Sequence, residues 1–262
     1  MKRLPTGYRY PNTPRAAPWD REGRYTEPVR LSHVNDRRLA LLSGLGIAVF
    51  AVLAAAVKSS PAFAEADLRA ALWVNNLDLG SAASSLLVAA SLYGREYFWI
   101  PVAAVMLAFG DRRTKLVAIG LCGVFAGGIV VGEAAKALVA RGRPDQLLAA
   151  VGGGTPVVRI PLETDFSFPS GHAVIVSIGA VYALATFRRK WVASLLTVEA
   201  GVVCFSRVYL FEHFPTDVAA GIALGGAVAL LGVLLGRRYL RGTAERVADL
   251  LVKVFRDGPL RL

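Results

Sequence analysis

Three short stretches of this 262-residue chain carry residue types that together could hold a phosphate, attack it and protonate what leaves. They are Lys136-Ala-Leu-Val-Ala-Arg-Gly-Arg143-Pro144, Pro169-Ser170-Gly171-His172 and Ser206-Arg207-Val-Tyr-Leu-Phe-Glu-His213-Phe-Pro-Thr-Asp217. Lys136 and Arg143 are seven apart, so they share a face if one helix runs on for two turns, and Pro144 ends or redirects that helix. Two such cations can grip different oxygens of one phosphate, the arginine as a bidentate fork. The same pair can equally snorkel to a membrane interface. Ser170 is a natural N-cap, Gly171 lets a ligand approach the backbone, and His172 falls in the first turn of the helix that follows, beside N–H groups suited to an anion. A capping Ser-Gly with an incidental histidine reads as well in isolation. Asp217 lies four residues after His213, near the start of a helix whose first turn suits Pro215. A carboxylate on one imidazole nitrogen fixes the tautomer and frees the other nitrogen as a nucleophile, although alone the pair could simply cap a helix. Arg207, from the end of the preceding helix, adds a third cation.

The elements that must position these residues belong to a membrane protein. The chain is 55% hydrophobic and 19% charged, with a mean hydropathy of +0.49, whereas an ordinary soluble domain is about a quarter charged. Its apolar blocks approach the roughly 20 helical residues that a bilayer core requires. Six spans are predicted, at 38–58, 95–110, 114–138, 171–187, 191–209 and 215–236, with a shallow helix at 80–93 leading into the second. The fold class is therefore all-α, a polytopic six-helix bundle. Residues 1–36, with five prolines and no helical or strand period, read as a disordered tail, and His33 within it as a solvated residue. The membrane domain runs over 37–236. Residues 237–262 read as a second tail, amphipathic over 237–256 and expected to lie on the membrane surface. The first apolar run starts too late and is too long for a signal peptide, so an uncleaved anchor is expected.

Charge gives an orientation. Of 30 Lys and Arg, nine lie in residues 1–38, three at Arg112, Arg113 and Lys115, three at Arg188, Arg189 and Lys190, and seven from Arg237 onward, all on one side of a six-span path. Only eight fall on the other side, so the positive-inside rule places both termini in the cytoplasm and the three motifs on the outer face of the cell membrane. The net charge of +11 reflects that asymmetry and an attraction to anionic lipid. The basic residues flank spans instead of forming a surface with stacking aromatics, which argues against nucleic acid as a partner. Cys122 and Cys204 fall inside predicted spans, with no cysteine or histidine at metal-ligand spacing, and read as inert apolar residues.

The pattern Lys-x6-Arg-Pro, Pro-Ser-Gly-His and Ser-Arg-x5-His-x3-Asp resembles the three-part signature of the type 2 phosphatidic acid phosphatase family of membrane lipid phosphatases, with every position filled in order. The resemblance spans about 60–236 and implies a six-helix membrane core, an outward-facing site, and no metal or cofactor. It implies that His213 attacks phosphorus to form a phosphohistidine, oriented by Asp217, and that His172 protonates the departing oxygen. It also implies that Lys136, Arg143 and Arg207 clamp the phosphate, helped by Ser170 and the Gly171 amide. A membrane lipid phosphate is then the expected substrate, with undecaprenyl pyrophosphate in the lead and phosphatidic acid or phosphatidylglycerol phosphate as rivals. A phosphotransferase using a lipid acceptor would carry the same motifs. Soluble haloperoxidases share a similar oxyanion pocket, but the spans argue against that activity.

Several residues go beyond the signature. Arg141 is expected on a different helical face from Arg143, touching a second phosphate or the lipid surface. Glu133 is placed to pair with Lys136. Glu199, mid-span, is expected to be structural, paired or protonated between helices. Glu212 is expected at the rim, facing a headgroup. Residues 145–168 read as a mobile lid or as plain linker. The sequence does not indicate an oligomeric state.

Overall fold

The computed structural model describes residues 34–94 and 96–257, without the side chains of Glu96, Leu240, Arg241 and 253–257. Among these residues the fold is all-helical: α1 (Asp36–Ser59), α2 (Pro61–Asn75), α3 (Gly80–Tyr93), α4 (Glu96–Phe109), α5 (Arg112–Val139), α6 (Pro144–Val151), α7 (Gly171–Thr186), α8 (Lys190–Tyr209), α9 (Pro215–Leu235), one π turn (Gly236–Leu240) and α10 (Arg241–Asp257). The helix starts follow their residue chemistry. Asn35, Ser60, Asp111 and Ser170 are side-chain N-caps, and Pro61, Pro144 and Pro215 open α2, α6 and α9.

α1, α5, α8 and α9 are long and apolar enough to cross a membrane, and α3, α4 and α7 are shorter apolar helices. The six expected spans coincide with α1, α4, α5, α7, α8 and α9 to within two residues at either end, and the expected shallow helix is α3. The basic stretch after α9 continues as α10, which Arg112 fastens to the start of α5 through Asp249 (2.5 Å). The expected tail, up to residue 33 and including His33, lies outside the described residues.

The bundle is organised around α7. It is buried along nearly its whole length and packs against α9, α8 and α5. A helix that is apolar all round belongs in such a place. Its close approach to α9 depends on two glycines: a Cβ on Gly221 would stand 2.8 Å from the Ser170 carbonyl oxygen, and one on Gly225 2.4 Å from that of Val174. Small residues at helix crossings in membranes serve this purpose, since packing there replaces the hydrophobic effect. The crossing also joins two of the motifs, because the Ser170 N–H donates to the Asp217 carbonyl oxygen at 3.0 Å.

Gly225→Ala should therefore force the two backbones apart and destabilise the bundle by about 1–3 kcal/mol, the usual range for overpacking. Gly127→Ala, on an exposed face of α5 with nothing within 4 Å of the added methyl, is the control; it should be neutral or stabilising by up to about 1 kcal/mol. Thermal midpoints in detergent decide the matter, and equal midpoints for the two variants would mean that the α7–α9 contact is not limiting.

Candidate active site

The three motifs meet at one end of the bundle. α5 ends at Val139 because Ala140 turns into the left-handed region (φ 52°), so Lys136 and Arg143 are not two turns of one helix. Instead Lys136 remains on α5, while Arg143 sits on the short connection to α6 with its side chain 1% exposed. Arg207 comes from the last turn of α8 and is also buried. Ser170 caps α7, Gly171 opens it, and His172, half-buried, is its second residue. His213 lies between α8 and α9, and Asp217 sits in the first turn of α9; both are essentially fully buried.

His213 Nδ1 stands 3.5 Å from Asp217 Oδ2 and 3.4 Å from Ser167 Oγ. The same Oδ2 accepts the Phe214 N–H (3.0 Å) and the Ser167 hydroxyl. Asp217 thus turns an acceptor toward Nδ1, which favours the tautomer with its proton there and leaves Nε2 with the lone pair. Burial holds the His213 imidazole well below its ordinary value, and the Arg207 and Arg143 cations push it the same way. It is therefore neutral at physiological pH.

The cations are not open. Asp165 accepts from both Lys136 Nζ and Arg143 Nη2. Glu163 accepts from Arg143 Nη2 (2.5 Å) and Arg207 Nη2 (2.8 Å). Glu212 completes the set: its Oε2 and its backbone oxygen take Arg143 Nη1 at 3.1 and 2.7 Å. These three carboxylates neutralise three cations that would otherwise repel one another at low dielectric. Burial pushes Glu163 and Asp165 upward, but the cations outweigh it; Arg207 and Arg143 hold Glu163 low, and Lys136 and Arg143 bring Asp165 to about 2. Arg207 Nε remains a buried donor without a partner among the described residues.

Several expectations are corrected here. Glu133 is exposed, and Lys136 pairs with Asp165. Glu212 is fully buried under Arg143 and not at a rim, because the turn after α8 folds it inward. Arg141 faces neither a second phosphate nor lipid: the left-handed Ala140 redirects it inward, where it donates to Asp217 Oδ1 (2.6 Å) and Asp67 Oδ2 (2.8 Å). The expected 145–168 loop begins as helix α6, and its middle is anchored, since Asn75 exchanges hydrogen bonds with Val157 and Arg159 stacks on Tyr209 (4.0 Å). Glu199 is half-buried with no partner among the described residues. Sequence reasoning missed Asp67, Glu163, Asp165 and Ser167. Two acidic residues a few positions before Pro169-Ser170-Gly171-His172, in a chain poor in acids, were the available signal for Glu163 and Asp165.

Membrane-crossing helices with a buried His–Asp pair beside three cations define a class, the membrane phosphatases. The chain belongs to the PAP2 superfamily, whose description matches residues 117–240. It is 44% identical over 151 residues to an undecaprenyl-diphosphatase of Sulfolobus acidocaldarius, covering 57% of this chain and 69% of that protein. A decaprenylphosphoryl-5-phosphoribose phosphatase of Mycobacterium tuberculosis is 32% identical over 134 residues, 51% of this chain and 68% of that protein. The crystal structure of a transmembrane PAP2 type phosphatidylglycerolphosphate phosphatase from Bacillus subtilis has the same fold, with a TM-score of 0.62 at 22% identity over 75% of this chain and 96% of that one.

Because Glu163 and Asp165 occupy the clamp as an entering anion would, Glu163→Gln with Asp165→Asn should tighten inhibition by inorganic phosphate or vanadate about tenfold. A weaker inhibition constant would mean that the carboxylates assist anion binding. The Asp165 carboxyl, at about 2 in the fold against an ordinary 3.8, contributes stability that is full above that ordinary value and lost as pH falls toward 2. Thermal midpoints should accordingly fall less steeply in the Asp165→Asn variant over that acid range, and parallel curves would remove the contribution.

Proposed function

We propose that this protein is a lipid phosphatase that cleaves a polyprenyl diphosphate to the monophosphate and inorganic phosphate through a phosphohistidine on His213. The observation that carries the reading is the neutral His213 held by Asp217 beside three cations already gripping anionic oxygens. The undecaprenyl-diphosphatase relative favours a polyprenyl diphosphate over phosphatidic acid or phosphatidylglycerol phosphate. The Lys and Arg asymmetry supports an outer-face site with both termini cytoplasmic.

The substrate's terminal phosphate displaces Glu163 and Asp165, whose side chains are 40% and 53% exposed and can swing outward while the cations stay buried. Lys136, Arg143 and Arg207 then hold its oxygens, Arg207 Nε supplies a further donor, and the Ser170 hydroxyl and the Gly171 N–H at the start of α7 add to them. The Nε2 lone pair of His213 forms the N–P bond as the bridging P–O bond breaks. The departing lipid monophosphate takes a proton from protonated His172. Water next attacks phosphorus, passing its proton to the now neutral His172, and the P–N bond breaks to release inorganic phosphate. The cations stabilise the charge on the equatorial oxygens in both steps, a contribution on the order of several kcal/mol in such sites.

Phosphate release by the detergent-purified protein, with EDTA present, should be fastest from undecaprenyl pyrophosphate in a panel with phosphatidic acid and phosphatidylglycerol phosphate. His213→Ala should abolish release from all of them while leaving the thermal midpoint near wild type. Near-wild-type turnover by His213→Ala would refute the nucleophile, and a faster monoester would refute the substrate. No phosphate release, with the phosphoryl group instead recovered on an added acceptor lipid, would turn the reading to a phosphotransferase.

A further inference from the structure

One buried charge has no part in the reaction just described. Asp67, on α2, lies outside the three motifs and outside the matched family region, yet its side chain is only 4% exposed. Its Oδ2 accepts from Arg141 Nη2 (2.8 Å) and from the Thr216 hydroxyl, and its Oδ1 accepts the Thr216 N–H (3.2 Å). The other arm of the same guanidinium, Nη1, reaches Asp217 Oδ1 at 2.6 Å and Thr216 Oγ1 at 2.9 Å. Arg141 therefore stands between two carboxylates, with its plane over the Phe214 ring at 3.6 Å.

That arrangement answers an electrostatic difficulty. When Nε2 attacks phosphorus, the His213 ring becomes a phosphoimidazolium carrying a full positive charge, and Asp217 is the carboxylate that faces it. A lone guanidinium bonded to Asp217 would cancel most of the carboxylate's field at the ring. The other charged groups around His213 are mainly cations, Arg207, Arg143 and Lys136, opposed by Glu163 until substrate displaces it and by Glu212, which stays paired with Arg143. A second carboxylate behind the guanidinium leaves the Asp67–Arg141–Asp217 chain with a net charge of about −1, directed at the ring at low dielectric. The charges that face Asp67 itself are Arg141 and Asp217.

We propose that Asp67 is a positioning residue for the nucleophile: by pairing with Arg141 it restores the negative field of Asp217 at His213 and stabilises the charge the imidazole gains on phosphorylation. The inference rests on the reading of His213 as nucleophile. It assigns to α2, an element outside the motifs, a part in the chemistry.

The test is Asp67→Asn, which keeps shape and removes charge. kcat should fall about tenfold or more with KM changed by less than about threefold, since the lost interaction acts on the developing charge and not on bound phosphate. The acid limb of kcat/KM should move to lower pH, because a weaker negative field makes His213 harder to protonate; substrate ionisation is common to both proteins. A role in folding alone would lower the thermal midpoint and leave that limb in place. The double variant Asp67→Asn with Arg141→Gln removes both outer charges and returns the net charge beside His213 to that of Asp217, so its kcat should exceed that of the single variant several-fold. It also carries the test if the single variant does not fold: kcat within about fivefold of wild type supports the inference. Loss of more than a hundredfold in the double variant, or an unchanged kcat and acid limb in the single one, would overturn it. If the wild-type protein turns over no lipid phosphate, the reading of function has failed instead. The charge claim is then read from imidazole NMR of His213, where Asp67→Asn should lower the pH of protonation and an unmoved titration would sink it.

Discussion

Three cations gathered at one end of a membrane bundle repel one another, and the site depends on how that repulsion is balanced. Lys136, Arg143 and Arg207 are buried, and unpaired charge in such a place is prohibitive. Glu212 supplies a fixed anion from the turn that also carries His213. Glu163 and Asp165 supply two more from a half-exposed loop, and these can be exchanged. In the proposed function a phosphate with two negative charges replaces them, so the electrostatics that hold the three cations together would also select what enters. The three cations are already gathered by these carboxylates, so the proposed reaction would require little reorganisation of them.

His213, the proposed nucleophile, lies beside a second charged cluster with a different logic. Asp217 is held by Arg141, Ser167 and the Phe214 N–H. Ser167 is itself fixed by its N–H to the Arg141 carbonyl oxygen (2.8 Å), and Ser170 by its N–H to that of Asp217 (3.0 Å). The redirected backbone after α5, the loop before α7 and the first turn of α9 are thereby locked into one unit. Gly221 and Gly225 permit it by letting α7 and α9 approach closely. Fold and chemistry meet at this crossing, since the glycines that set it position the carboxylate that orients His213.

Much of this was legible in the sequence. Apolar runs bounded by Arg-Lys clusters and by Pro or Gly mark helices, and the six expected spans fall on helices because nothing in a bilayer competes with helix for an apolar run of that length. The motif residues converge because each sits next to a helix end, where side chains and backbone donors gather. What could not be read were contacts between distant segments. Asp67 precedes its partner Arg141 by 74 positions, and no periodicity or spacing joins them. Arg141 itself was misplaced by assuming a continuous helix, because a non-glycine residue in the left-handed region at Ala140 has no sequence mark. The acids of the loop before α7 resembled linker because their partners come from three different elements.

The central claim is that His213 carries the phosphoryl group between the two half-reactions. Its most direct test is a rapid-quench reaction with polyprenyl diphosphate labelled in the terminal phosphate, followed by peptide mapping. Label that is acid-labile and alkali-stable, sits on His213 and forms and decays fast enough for turnover is the expected result. Turnover with no label on the protein, or label on another residue, would contradict the account.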